Sequence, residues 1–243
     1  MSTKVLRRGA LLLVAIAGAS VLLAYAAGCG GKKEAKELSI DDMWQKAGEA
    51  DTNISSWHME IASYYENTKY GGGQIQSIII DVNGDDLHEQ DLLLGQVYFE
   101  YMRVGGKQYN KDMASGNWTE VPATSTGDTA SEVTSQFLEL PSVAESQEHV
   151  GTETIGDQEA ERFHFTLTPQ SVIGMFATQP SFDFSQNSGG EVDVWIDSNG
   201  YYMLRYELLI RNVIIPEQIG TGDIRFVVNI RDINEPIEIT PPI

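Results

Sequence analysis

Cysteine is nearly absent from this sequence of 243 residues. The one thiol, Cys29, excludes an intrachain disulfide and any multi-cysteine metal site. Basic residues are scarce too: 16 Lys and Arg stand against 35 Asp and Glu, a formal charge of -19. The imbalance is concentrated in the body of the chain. Residues 1–28 hold Lys4, Arg7 and Arg8 and no acid, so the other 215 residues carry 13 basic and 35 acidic side chains, about −22. A body of that charge is repelled by phosphate backbones and by anionic bilayer surfaces, which excludes nucleic acid as a partner.

Catalytic signatures are missing as well. The chain has no G-x-S-x-G elbow, no H-E-x-x-H, no Walker loop and no G-x-G-x-x-G. The four histidines, His58, His88, His149 and His164, include no pair at ligand spacing. His58 and His164 fall on the polar register of their strands, as solvated surface residues do. Residues Asp81 to Asp86 (DVNGDD) touch the pattern of a calcium loop. They lack glycine at its sixth position, and Leu92 stands where the closing glutamate belongs. A hairpin turn at Asn83-Gly84 accounts for the same residues. No catalytic residue, cofactor or metal is expected.

What the sequence does have begins at the N-terminus. Lys4, Arg7 and Arg8 form a basic start, and Ala10 to Gly28 is an uncharged, mostly apolar run. Together they predict a signal peptide over residues 1–28. Ala27-Gly28-Cys29 resembles the bacterial lipobox, with Ala26 where that motif usually carries Leu. The resemblance implies that Cys29 receives a diacylglyceryl group and becomes the first residue. An uncleaved membrane anchor is the alternative, since ~18–20 apolar residues span a bilayer. Either way the acidic body lies outside the cytoplasm. Residues 29–38 then comprise the lipidated Cys29 and a polar tether, whose nine residues from Gly30 to Leu38 reach at most ~30 Å.

The body has the apolar content of a folded domain, with 42% hydrophobic and 9% aromatic residues. Ser39, with Asp42 three residues on, opens a helix whose apolar positions are Ile40, Met43, Trp44 and Ala47. From Trp57 the period changes to two. Phe163, Phe165 and Leu167 alternate with Arg162, His164 and Thr166; Ile224, Phe226, Val228 and Ile230 alternate with polar neighbours in the same way. This is the mark of an antiparallel sheet solvated on one face. About ten strands are predicted, near residues 57–66, 74–82, 86–93, 96–104, 107–111, 148–156, 160–168, 190–197, 201–212 and 222–232. Turn signals at Asn83-Gly84, Gly105-Gly106 and Asn199-Gly200 agree. Short helices are expected at 132–140 and 170–177, and residues 117–135, rich in Thr, Ser and Gly, interrupt the sheet. The fold class is mainly β (α+β): one domain over 39–243, a long curved antiparallel sheet covered by about three short helices.

These features resemble the LppX/LprG lipoprotein family within the LolA-like lipoprotein carriers. The most specific local match is the tail, Arg231 to Pro242 (RDINEPIEITPP), a last strand running into "N-E-P-x-E-I-x-P-P". Gly116 to Pro122 (GNWTEVP) looks like the family's "G-x-W-x-x-x-P" strand end. The likeness covers residues 39–242 and implies a half-open barrel that binds acyl chains of lipids or lipoproteins and moves them between membranes. The inward register supplies the lipid-cavity candidates: Phe99, Tyr101, Phe163, Phe165, Val194, Tyr206, Phe226 and Val228. Residues 124–129 and 180–189 are candidate mouth elements. The expected protein is a membrane-anchored, extracytoplasmic lipid carrier of the cell envelope, held by lipidated Cys29. The alternative is an envelope interaction or sensor module on the same fold, with a protein partner; a hydrolase has no site to support it.

Overall fold

Ser39 starts the first element as its residue type dictates. Its hydroxyl accepts a hydrogen bond from the Asp42 amide at 3.1 Å, and Asp41 and Asp42 occupy the first turn, where the helix dipole favours negative charge. Helix α1 runs Ile40–Asp51 and buries Met43, Trp44 and Ala47. This is seen in a computed structural model that describes residues 39–122, 129–176, 182–215 and 219–243. The predicted signal peptide, the lipobox with Cys29 and the tether to Leu38 lie outside the described residues. So do residues 124–128 and 180–181 of the expected mouth.

Six strands follow α1: β1 (Ser56–Thr68), β2 (Gly71–Asn83), β3 (Asp86–Leu93), β4 (Gln96–Val104), β5 (Lys107–Lys111) and β6 (Trp118–Val121). Helix α2 (Thr129–Val143) leads to β7 (Ser146–Ile155) and β8 (Gln158–Leu167). Helix α3 (Pro169–Phe176) then precedes β9 (Gly190–Asp197), β10 (Met203–Ile215) and β11 (Gly220–Arg231). All eleven form one antiparallel sheet in the order β6-β5-β4-β3-β2-β1-β11-β10-β9-β8-β7. It is two meanders, β1 to β6 and β7 to β11, joined along β1 and β11 by a register that sets Ile61 opposite Val228. The expected mainly β fold with three covering helices is the observed one.

The strand order dictates what covers the sheet. Its edges are β6 and β7, which are consecutive in the chain, so the connection between them must cross the sheet's width. Helix α2 lies on that connection; its 15 residues reach about 22 Å. It buries Phe137 and Leu140. The Trp44 indole of α1 donates to the Phe137 carbonyl at 3.1 Å. The same ring stands edge-on to Phe163 and Phe165, with centroids 5.2 and 5.0 Å away. The packed core therefore sits between α1, α2 and the β8–β9 side of the sheet.

Two differences from the expected elements have physical causes. Strand β6 lies inside a stretch read as an interruption, where the abundance of Thr, Ser and Gly around it masks four residues. Trp118, Thr119 and Val121 are nonetheless strand formers, and they pair with β5, Lys111 opposite Trp118 and Gln108 opposite Val121. Strand β4 carries a register shift opposite Asp91 and Leu92 that leaves Tyr98 between the paired residues Val97 and Phe99. A shift of one residue redirects side chains across the sheet, and the alternation read from the sequence does not survive at that point.

All the described elements lie within one compact unit, Leu38–Ile243, together with both clusters of buried apolar side chains. No helix among the described residues is long and apolar enough to cross a membrane.

Candidate functional site

Antiparallel register lines up the inward side chains into rows across the sheet. One row, from β8 to β4, reads Phe163, Val194, Tyr206, Val228, Ile61, Ile78, Asp91 and Phe99. The next reads Phe165, Val192, Leu208, Phe226, Ser63, Gln76 and Leu93. At the β8–β9 end the helices lie directly on both rows, and Phe163, Phe165, Val192 and Val194 are fully buried. Over β10, β11, β1 and β2 the helices do not fill the space. A cavity of about 570 Å³ remains there, within the range of small-molecule and cofactor sites.

The floor of the cavity is Tyr206 and Leu208 of β10, Phe226 and Val228 of β11, Ile61 and Ser63 of β1, and Ile75, Gln76 and Ile78 of β2. Val133 and Gln136 of α2, Phe176 of α3 and Phe182 face this floor, with Ile215, Ile219 and Tyr98 completing the wall. Phe176 stacks on Phe226 at 6.1 Å, and Phe182 meets Phe226 edge-on at the same distance. Among the described residues no Lys, Arg, His, Asp or Glu lines the cavity. An anionic or cationic group placed inside would find no counter-charge there.

Two polar features interrupt the apolar surface. The Tyr206 hydroxyl is buried and has no hydrogen-bond partner among the described residues. Burial pushes its ionisation far above the ordinary range for a phenol, so the group stays protonated. Leaving a buried hydroxyl unpaired costs about 1–3 kcal/mol. The second feature is a chain of side chains. Gln76 donates to the Tyr98 hydroxyl at 2.9 Å, and that hydroxyl donates to Asp91 at 3.2 Å. Burial raises the Asp91 pKa above its usual value, opposed in part by Tyr98 and Glu89. Its Oδ1 is buried without a partner. Tyr206 and Asp91 thus stand on one row with Val228, Ile61 and Ile78 between them, about 19 Å apart along the sheet at ~4.8 Å per strand.

The outer face is the reverse in character. Glu100 accepts from Gln90 and Lys111 at 3.0 and 2.7 Å and lies 2.9 Å from His88 Nε2. Burial acts to raise its pKa, and these bonds outweigh burial and lower it. His58 lies between Asp81 and Glu60, His149 beside Glu161, and His164 beside Asp193. All four histidines are therefore engaged with carboxylates rather than freely solvated. The DVNGDD residues form the β2–β3 hairpin. There Asn83 donates to the Ile237 carbonyl at 2.8 Å, and Asp86 accepts from the Gly105 amide at 2.8 Å. Among the described residues no three His, Cys, Asp or Glu side chains gather as a metal site.

The inward residues singled out from the sequence divide into three groups. Tyr206, Phe226 and Val228 line the cavity. Phe163, Phe165, Val194 and Tyr101 do not line it and belong to the packed core, the cluster in which Tyr206 and Val228 are also buried. Phe99 is 38% exposed, because β4 lies toward the edge of the sheet, away from the helices. The sequence reading did not single out Ile75, Ile78, Phe176, Phe182 or Ile215. Phe176 lay in the apolar helix expected at 170–177. What alternation could not give is which inward positions the helices leave uncovered, since that depends on where α2 and α3 come to rest.

Solved structures similar to this chain include LppX and LprF. The lipoprotein LppX of Mycobacterium tuberculosis matches with a TM-score of 0.51 at 16% identity, covering 83% of this chain and 100% of LppX. LprF of Mycobacterium bovis matches with a TM-score of 0.52 at 13% identity, covering 82% of this chain and 95% of LprF. No family model and no curated protein sequence matches. The likeness to LppX/LprG-type lipoproteins is therefore present at the level of the fold.

Proposed function

We propose that this protein binds the acyl chains of a lipid or lipoprotein in the cavity over β10, β11, β1 and β2, and carries them within the cell envelope without catalysing a reaction. The observation behind this reading is a cavity of about 570 Å³ whose lining, among the described residues, includes no Lys, Arg, His, Asp or Glu. Burial of methylenes against such a surface is worth ~0.8 kcal/mol each, so hydrocarbon is what it favours. The fold shared with LppX, which is named a lipoprotein, supports the same reading. Tyr206, Phe226 and Val228 contact the chain. Cys29 carries the anchor, which keeps the acidic domain outside the cytoplasm on a tether of nine residues. Two acyl chains on Cys29 hold a protein at a membrane durably, where one does so only reversibly.

Mass spectrometry of the full chain isolated from bacterial membranes tests both parts. The expected chain begins at Cys29 with a diacylglyceryl mass, and a solvent extract contains about one acyl lipid per protein. A chain that keeps residues 1–28 and carries no acyl mass contradicts the anchor. An extract without acyl lipid contradicts the carrier.

One feature favours a second reading, recognition of another envelope protein by the same fold. The β3–β4 hairpin exposes Leu93, Leu94, Tyr98 and Phe99 together, and grouped apolar surface of this kind marks interaction sites. An empty cavity in the extract would leave that hairpin as the functional surface.

A further inference from the structure

Tyr206 is an odd residue for its place. Its row neighbours Val194, Val228 and Ile61 are apolar, and phenylalanine would fill the same volume without burying a hydroxyl. The side chain is only 3% exposed. It lines the cavity, and its hydroxyl has no partner among the described residues. A buried hydroxyl left unpaired on a side chain that lines an apolar cavity is costly unless a group entering the cavity pairs with it.

The chemistry of that partner can be narrowed. The phenol is protonated, so it offers one hydrogen-bond donor. A carboxylate or phosphate would accept that bond, but among the described residues no cation lines the cavity to neutralise either one. A hydrocarbon chain has no acceptor at all. An uncharged carbonyl oxygen satisfies both conditions: it accepts one bond and brings no charge.

We propose that Tyr206 is the specificity residue of the cavity, donating a hydrogen bond to the carbonyl oxygen of an acyl ester or amide that enters with its chain. Charged headgroups then stay outside, and the ligand is held at a fixed depth by its carbonyl rather than by burial alone. This rests on the acyl-binding reading above and adds the polar contact that the reading lacks.

The test compares two neutral probes that differ in the carbonyl, methyl palmitate and hexadecyl methyl ether. Each displaces a fluorescent acyl probe from residues 30–243, as wild type and as Tyr206→Phe. Wild type is expected to prefer the ester by about three- to tenfold, the size of one neutral hydrogen bond. Tyr206→Phe is expected to abolish that preference by weakening the ester alone. It should melt at or above the wild-type temperature, because the substitution removes an unpaired buried hydroxyl and keeps the ring. An ester-to-ether ratio that is the same in both proteins overturns the role of Tyr206 and leaves the acyl cavity standing. Failure of wild type to bind either probe overturns both proposals. A Tyr206→Phe protein that loses ester and ether equally also overturns the role, since a residue that only shapes the cavity has that effect.

Discussion

Asp91 occupies a position where a carboxylate is out of place. It stands on the inward row of β3 beside Ile78 and Phe99, with one oxygen buried and unpaired. Its pKa is raised by burial, so the folded chain holds the Asp91 proton more tightly than the unfolded chain does. Stability from this group is therefore fully present below the unfolded value of ~3.9 and is lost as pH rises through the folded pKa. Asp91→Asn keeps an oxygen to accept from Tyr98 and carries no charge. The expected result is a higher melting temperature than wild type at pH 7, with the difference shrinking toward pH 4. Thermal melts at both values check it; equal melting temperatures at pH 7 would mean the charge is solvated after all. Glu100 has the opposite sign. Its pKa is lowered, so its contribution is lost as pH falls below the ordinary glutamate range. Sequence alone could not assign these roles. Glu89, Asp91 and Glu100 look alike in an acidic chain, and only the strand register puts the first two inside and the third among Lys111, His88 and Gln90.

At the scale of elements the hairpins repay attention. Asn83-Gly84 and Gly105-Gly106 were legible as turns because their residue types tolerate the left-handed backbone. The β3–β4 turn breaks that rule. Leu94 sits at φ 51 and Gly95 at φ 78, between the paired residues Leu93 and Gln96. A leucine there costs roughly 1–2 kcal/mol relative to residues that accept the left-handed region, and at 79% exposure it recovers nothing from packing. Leu94→Asn is expected to stabilise the domain by about 1 kcal/mol, measured by urea unfolding. A loss of stability would mean that the Leu94 side chain packs in solution. The α1 helix was legible in full, since Ser39, the acidic first turn and the Met43, Trp44 and Ala47 face are all local signals. Helix α2 was legible only in its apolar middle. Its full length follows from the need to join strands at opposite edges of the sheet, a constraint set by pairing between β1 and β11, which are far apart in the chain.

The whole molecule combines an acidic exterior with an uncharged cavity, and the two are produced by the same alternation along the strands. Outward positions hold carboxylates such as Glu100, Glu161 and Asp193 with their partners, and inward positions hold the apolar rows, with Glu89 and Asp91 as the inward exceptions. Alternation made the fold class and the inward set readable from the sequence. It could not separate core from cavity, because Val194 and Val228 have the same residue type, the same inward direction and neighbouring places in one row. The structure separates them. Val194 lies beneath the helices at 0% exposure and does not line the cavity, whereas Val228, itself only 2% exposed, does. The central claim, that this volume holds acyl chains, is tested most directly by placing tryptophan at each position in residues 30–243. Stability is read by urea unfolding and ligand by displacement of a fluorescent acyl probe. Val194→Trp is expected to lose ~1–3 kcal/mol or more through overpacking. Val228→Trp is expected to cost less than ~1 kcal/mol, because its ring has space to enter, and to weaken acyl binding severalfold. If Val228→Trp is as destabilising as Val194→Trp and wild type binds no acyl probe, the sheet encloses an ordinary core and the carrier account is contradicted.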